Sequence, residues 1–251
     1  MIKAVIFDLD GTLFLGKTAI PGAAKKLEEL RAKGIRTIFL TNAATRSREN
    51  LLEKILAMGL SAQKEEVYCS SYFLAKYISE NHKGKTVYVV GEQGINDELE
   101  EHGIKAVDDN ADIVTVGLDR GFTYEKLAKA LKQLQDGAIL LSSNKDVTYP
   151  TENGFMPGAG SIVAAVEAAS GKEAVSLGKP NRYALEQIKK DHGLGNDEVL
   201  MVGDRLDTDI TFAKKCGIKS VLLLTGVNKK EDIGEIKPDY IFDSISEFNL
   251  P

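Results

Sequence analysis

Short apolar runs recur along the chain, and several of them stop abruptly on polar residues. The first, Ile2-Lys3-Ala4-Val5-Ile6-Phe7, is almost uninterrupted and ends at Asp8-Leu9-Asp10, followed by Gly11-Thr12. An apolar run without alternation reads as a strand buried on both faces, as in a parallel sheet, so the two aspartates fall at its carboxyl end. A second run, 35–40, ends in Thr41-Asn42, and a third, 198–202, ends in Gly203-Asp204-Arg205. Helical spacing fills the intervals: Ala24, Leu27 and Leu30 share one face of a helix over 23–33 that Gly34 closes, and a helix over 48–58 is closed by Gly59. Residues 14–20 are expected to form a short flap before the turn at Pro21-Gly22. This alternation of strands and helices predicts an α/β fold with a parallel sheet and helices on its faces.

Beyond a short strand and a helix over 67–80, Asn81-His82-Lys83-Gly84-Lys85 is a polar, glycine-containing break that reads as a linker. A second series follows it, with strands expected at 86–90, 104–107, 112–116 and 138–141 and helices near 95–102, 124–135 and 161–169. The outer series resumes with a helix over 183–190, the third apolar run, a helix over 211–216, and strands at 220–224 and 240–242. The pattern predicts a Rossmann-like parallel-sheet core domain built from 1–80 and 178–251, interrupted by an inserted α/β domain over 81–177.

Composition narrows the partners. At 251 residues the chain buries a large core without disulfides, and its two cysteines, Cys69 and Cys216, match no metal-ligand spacing. They read as buried thiols in a reducing compartment, and a cytoplasmic location is expected. A net charge of −5, with acidic and basic residues evenly scattered, offers no basic face for a nucleic acid polymer and no polybasic membrane patch. No apolar run approaches the roughly 20 residues that span a bilayer, and Met1 leads straight into a strand.

In an open α/β sheet, ligands gather outside the carboxyl ends of the strands. If the three apolar runs lie side by side, their ends assemble Asp8, Asp10, Thr41, Asn42 and Asp204, and Lys179, in Gly178-Lys179-Pro180, adds a cation from the turn before a helix. No Ser-His or Cys-His pair is offered for acyl transfer, and the three histidines are expected at the surface. The set suits phosphoryl transfer. Two carboxylates about 4 Å apart repel by roughly 4 kcal/mol at an effective dielectric near 20, so a divalent cation is expected among them, and hard oxygen ligands point to Mg²⁺. One aspartate has the chemistry of a nucleophile toward phosphorus, and a second that of a general acid and base. Gly11 permits the tight turn that both roles require.

Asp8-x-Asp10-Gly11-Thr12, Thr41-Asn42, Gly178-Lys179-Pro180 and Gly203-Asp204-x4-Asp209 resemble, in order and setting, the four motifs of the haloacid dehalogenase-like phosphatases. Ile20-Pro21-Gly22-Ala23, the segments 117–120 and 122–127, Asn144-x-Asp146-x2-Tyr149-Pro150 and Pro157-Gly158-Ala159-Gly160-Ser161 are similar to the subfamily of NagD-type and 4-nitrophenyl phosphatases. The resemblance covers nearly the whole chain. It implies that the insertion is an α/β cap, that Asp8 is the nucleophile and a metal ligand, and that Asp10 is the general acid and base with its carbonyl on the metal. It further implies that Leu9, Asp10, Thr41, Asn42 and Lys179 hold the phosphoryl group, that Asp204 completes the Mg²⁺ site and that Asp209 supports it. The substrate would be a small phosphorylated metabolite such as a nucleoside monophosphate or a sugar phosphate, or a synthetic aryl phosphate; cap-mediated homodimers occur in similar proteins. Cap loops carrying Glu92, Asp119, Arg120, Asn144, Asp146 and Tyr149 follow strands of the inserted sheet and are expected to select the leaving group.

Two rivals share these residues. A phospho-accepting signalling module also sets an aspartate, a threonine and a lysine around Mg²⁺, but the second aspartate, Asp10, and the long insertion favour turnover. A non-catalytic binding protein on the same core is the other. Gly158-Ala159-Gly160 is similar to a dinucleotide loop, yet Val163 stands at the third glycine position and no strand abuts it. Asp207 reads as a solvated loop residue, and Arg205 either orients carboxylates or lies at the surface.

Overall fold

The first apolar run is buried over the four residues that form its strand. In the computed structural model, which describes residues 1–151 and 154–250 and so leaves Pro251 of the outer range outside the described residues, all four side chains of β1 (Ala4–Phe7) are inaccessible to solvent. After it come the hairpin β2 (Phe14–Leu15) and β3 (Thr18–Ala19), then α1 (Ala23–Ala32), β4 (Arg36–Thr41), α2 (Arg48–Ala57), β5 (Val67–Cys69) and α3 (Ser70–Asn81). The inserted series is β6 (Val87–Val90), α4 (Gln93–Glu101), β7 (Ile113–Val116), α5 (Tyr124–Gln135), β8 (Ile139–Ser142), β9 (Thr148–Thr151), β10 (Gly154–Pro157), α6 (Ala159–Ser170) and β11 (Val175–Ser176). The chain closes with α7 (Arg182–His192), β12 (Val199–Gly203), α8 (Thr211–Cys216), β13 (Lys219–Leu223) and β14 (Tyr240–Phe242).

Contacts group these elements into two units. The first comprises Met1–Thr41, Leu51–Tyr68 and Lys179–Pro251. Its sheet runs β14-β13-β12-β1-β4-β5, with β1 parallel to both β12 and β4. Phe7 stands opposite Val202 on one side and Phe39 on the other, so Asp8, just past β1, is level with Gly203 and Leu40 near the carboxyl ends of β12 and β4. That register, rather than any single side chain, brings the three polar strand ends together. Phe7 also meets Phe248 edge to face at 6.3 Å, and Phe248 meets Phe242 at 5.7 Å, which pins the carboxyl-terminal segment beneath the sheet. The helices end where glycine takes a left-handed conformation: Gly193 closes α7 and Gly217 closes α8.

The second unit comprises Asn42–Asn50 and Cys69–Gly178. A parallel sheet, β11-β8-β7-β6, packs Val90, Val114, Val116 and Leu140 against Leu134 of α5 and Val163 and Val166 of α6. The grouping draws its boundary before α3, whereas the sequence boundary stands at 81. α3 packs on α4, and Gly94 of α4 lets that helix approach the backbone of Arg46 so closely that a Cβ would overlap it. Arg48 N–H then donates to the buried Glu98 carboxylate at 2.6 Å, tying 42–50 to the same helix.

Two local expectations fail. Residues 104–107 form no strand: they meet β6 at the single residue Val87 and leave Lys105 and Ala106 exposed. The antiparallel pair β9 and β10 was not expected, because it carries Pro150 and Pro157 and lacks an alternating buried face, and it corrects the expectation that no strand abuts Gly158, since β10 ends at Pro157 directly before it. Among the described residues no helix is long and apolar enough to cross a membrane. Truncation of Phe7 leaves a cavity in the centre of the sheet, so Phe7→Ala should cost about 3–5 kcal/mol in urea unfolding. Leu56→Ala, at a half-exposed position on α2, should change stability by less than about 1 kcal/mol.

Candidate active site

The turn after β1 is held by its own backbone. Leu9 C=O accepts from the N–H groups of Thr12 and Leu13, and Gly11 N–H donates to Phe14 C=O at 2.8 Å. Gly11 sits at φ 91°, and a Cβ there would overlap the Asp204 carboxylate, so both conformation and space call for glycine. The Leu9 side chain is fully buried, which leaves any ligand contact of this residue to its main chain.

Asp8, Asp204 and Asp209 each offer a carboxylate oxygen within 4.8 Å of the others. Lys179, 2% exposed, stands among them, with Nζ 2.5 Å from Asp8 Oδ1, 2.5 Å from Asp209 Oδ1 and 3.1 Å from the Leu40 carbonyl. Burial pushes the Asp8 carboxyl well above its usual range; Lys179 pulls it down, while Asp209 and Asp204 add to the rise. Burial, then Asp209, pushes Asp204 up to about 7. Burial alone would lower Lys179, but Asp209 and Asp8 outweigh it and hold the ammonium firmly protonated. One cation thus faces three carboxylates.

This donor set fits a divalent cation. Asp204 Oδ2 accepts from Val227 N–H at 2.7 Å, while its Oδ1 is buried with no hydrogen-bond partner, and a buried orphan carboxylate oxygen is costly unless something positive meets it. Both oxygens of Asp209 are engaged, Oδ1 by Lys179 and Oδ2 by Arg205 N–H, which suits that residue to supporting the cluster. A Cβ at Gly203 would overlap Asp209, so the glycine of the third strand end makes room for it.

Asp10 occupies a different environment. Its side chain is about half exposed, 3.5 Å from Lys54 Nζ, and that ammonium also lies 4.1 Å from the centre of the Phe14 ring. Two aspartates one residue apart are therefore unlike: one buried against Lys179, the other open to solvent. Thr41 ends β4 as a buried side chain. Asn42, buried and in the second unit, donates its amide to both oxygens of Asp146 at 3.1 Å.

Arg205 holds the exposed Asp207 with two side-chain hydrogen bonds, at 3.0 and 2.7 Å, while its main chain serves Asp209. Among the expected cap residues, Glu92 and Arg120 form a two-pronged ion pair at 2.6 Å, and Asp119 is buried against Lys126 at 2.6 Å. The buried Asn144 directs its amide to the Asn42 carbonyl at 2.7 Å, and Tyr149 is half-buried on β9. His192, expected at the surface, is half-buried beside the Tyr68 hydroxyl at 3.2 Å, and burial lowers its pKa.

The loop after β13 belongs to the site and was not expected. Thr225 Oγ1 donates to the Gly11 carbonyl at 2.6 Å, Asn228 N–H donates to the Asp204 carbonyl at 3.2 Å, and a Cβ at Gly226 would overlap the Asp204 side chain. The same strand-end rule that found the other motifs points to Thr225-Gly226, which follows an apolar strand. Lys54 had no such signal, since its place on a helix says nothing of what it faces.

A family model described as haloacid dehalogenase-like hydrolase matches residues 5–105, and a second, described as HAD-hydrolase-like, matches 176–248. The chain is 36% identical over 248 residues to the 5′-nucleotidase YutF of Bacillus subtilis, covering 98% of this chain and 97% of that one. It is 38% identical over 248 residues to the acid sugar phosphatase of Staphylococcus aureus, covering 98% and 96% respectively. Among solved structures, the 4-nitrophenylphosphatase from Thermotoga maritima matches with a TM-score of 0.95 at 33% identity, covering 98% of this chain and 95% of that chain.

The glycine cradle around Asp204 makes a specific prediction. Gly226→Ala should raise the Mg²⁺ concentration needed for half-maximal thermal stabilisation by about tenfold or more, as expected when a ligand's supporting shell is displaced. An unchanged titration midpoint would show that the space at Gly226 does not govern how the cluster meets a cation.

Proposed function

The chain belongs to the haloacid dehalogenase-like hydrolases, among the NagD-type and 4-nitrophenyl phosphatases, and is a phosphoric monoester hydrolase; from that premise we propose that it is a Mg²⁺-dependent phosphatase working through a phosphoryl group carried on Asp8. The observation that carries this reading is Lys179, which clamps Asp8 and Asp209 beside the unpartnered oxygen of Asp204. Asp8, Asp204 and the main-chain carbonyl of Asp10 would hold the ion, which supplies positive charge to offset the phosphoryl oxygens.

In this reading Asp8 presents the oxygen that Lys179 does not hold. That oxygen forms a bond to phosphorus as the ester P–O bond breaks, and the exposed Asp10 gives its proton to the departing alcohol. Asp10, now a carboxylate, takes a proton from water; the hydroxide oxygen bonds to phosphorus, the Asp8–phosphorus link breaks and inorganic phosphate leaves. What supports this division of labour is access and charge: the half-exposed Asp10 is within reach of a departing alcohol and of water, and the Lys179 ammonium at 2.5 Å favours the carboxylate form of the buried Asp8. Lys179, Thr41, Asn42 and the main chain of Leu9 and Asp10 hold the phosphoryl group.

Residues 1–80 and 178–251 form the catalytic core and 81–177 the cap, whose Glu92, Asp119, Arg120 and Tyr149 select the leaving group. The names of the Bacillus and Staphylococcus relatives support nucleoside monophosphates and sugar phosphates as the substrate class. Two free, buried cysteines suit a cytoplasmic enzyme.

Purified chain should release phosphate from 4-nitrophenyl phosphate with Mg²⁺, lose that activity in EDTA and regain it when Mg²⁺ is returned. Asp8→Asn should abolish turnover, and Lys179→Met should lower kcat by about 10²–10³-fold, the loss typical of removing a preorganised charge. Equal rates for wild type and Asp8→Asn would overturn the assignment.

A further inference from the structure

Asn42 is held from several directions at once. Its carbonyl accepts from Ser70 Oγ at 2.6 Å and from Asn144 Nδ2 at 2.7 Å, and its side-chain Nδ2 donates to Asp146 Oδ1 and Oδ2, both at 3.1 Å. All four residues belong to the second unit. An ionised carboxylate is an acceptor only, so it fixes which end of the Asn42 amide faces it: the nitrogen, never the oxygen.

Asp146 is itself immobilised. Its N–H donates to Asn144 Oδ1 at 3.1 Å, and its carbonyl accepts from Gly160 N–H at 2.8 Å. Val147 C=O accepts from Gly158 N–H at 2.7 Å and from Ser161 Oγ at 2.8 Å. A Cβ at Gly158 would overlap the Asp146 carbonyl, and one at Gly160 would overlap the Lys145 carbonyl. The glycines that are similar to a dinucleotide loop thus serve packing, by letting the start of α6 close onto residues 145–147.

We propose that Asp146 is a positioning residue for phosphoryl transfer, which orients the Asn42 amide as a donor, and that it is not a selector of the leaving group. The inference rests on the phosphatase reading above, in which Asn42 holds the phosphoryl group. A group that carries negative charge must meet donors, and an amide free to rotate by half a turn presents its oxygen as readily as its nitrogen. Asp146 removes that freedom. The alternative, a releasable latch, suits the geometry less well, because the main chains of Asn42 and Asp146 are both tied by further hydrogen bonds.

The test is a double-mutant cycle on the full chain with Mg²⁺, combining Asn42→Ala with Asp146→Ala and adding Asp146→Asn. Each enzyme is assayed on 4-nitrophenyl phosphate and on a nucleoside monophosphate, and its inhibition by inorganic phosphate is measured. Asp146→Ala should lower kcat/KM by about tenfold or more, by the same factor for both substrates, and should weaken inhibition by inorganic phosphate. Asp146→Asn, which keeps one acceptor oxygen, should recover part of the loss. The double variant should be no worse than Asn42→Ala, because the two residues act as one unit.

A loss confined to one leaving group, full additivity in the cycle, or a rise in kcat/KM would overturn the proposal while leaving the phosphatase reading intact. An inactive wild type would overturn that reading, and the proposal with it. Should Asp146→Ala fail to fold by circular dichroism, the asparagine variant decides: equal losses on both substrates with weakened phosphate inhibition support positioning, and unchanged phosphate inhibition refutes it.

Discussion

The buried ammonium of Lys179 is the interaction on which the site depends. It joins the end of β1, through Asp8, to the turn after β12, through Asp209, and reaches the last carbonyl before Thr41 on β4. Isolated, an ammonium this deeply buried would be costly, and so would each carboxylate around it. Together they leave an excess of negative charge that protein groups alone do not balance, and the orphan oxygen of Asp204 marks where the balance is incomplete. Such a cluster contributes little to stability for what it costs to desolvate. On the proposed reading its value lies in chemistry: an anionic nucleophile kept beside fixed positive charge, in a place where an anionic substrate must approach.

The fold supplies that cluster through register. Because Phe7 is level with both Val202 and Phe39, the polar residues that end the three strands emerge side by side. Glycines then remove the side chains that would stand in the way: Gly11 and Gly226 clear space for Asp204, and Gly203 for Asp209. The apolar interior fixes the strands, the strands fix the level, and the glycines admit the carboxylates. A shift of one residue in β1 would exchange Asp8 for Leu9 at the Lys179 ammonium.

Much of this was legible in the chain because strand ends are a one-dimensional signal. A buried apolar run that stops on Asp8, Thr41 or Asp204 announces both its strand and its polar exit, and the order of the motifs added the family resemblance. What was not legible depended on packing between distant segments. Residues 42–50 group with the inserted elements because Gly94 and Glu98 meet the backbone of Arg46 and Arg48, a contact no periodicity encodes. Asp146 reads from its loop as a leaving-group contact, and the hydrogen bond it accepts from Asn42, over a hundred positions away in sequence, has no local signal. The pair β9 and β10 has no clear signal in the chain because its prolines argue against a strand, and 104–107 reads as a strand although it meets β6 only at Val87.

In the proposed mechanism Asp8 takes the phosphoryl group and Asp10 activates the water that removes it. Rapid acid quenching of the Asp10→Asn chain, mixed with Mg²⁺ and 4-nitrophenyl phosphate carrying a radiolabelled phosphoryl group, whose leaving group departs without a proton from Asp10, tests it most directly. Covalent label should appear on the peptide that contains Asp8, approaching one per chain and absent when Asp8→Asn is added. Label on another residue, or none at all while the wild-type chain turns over, would contradict it.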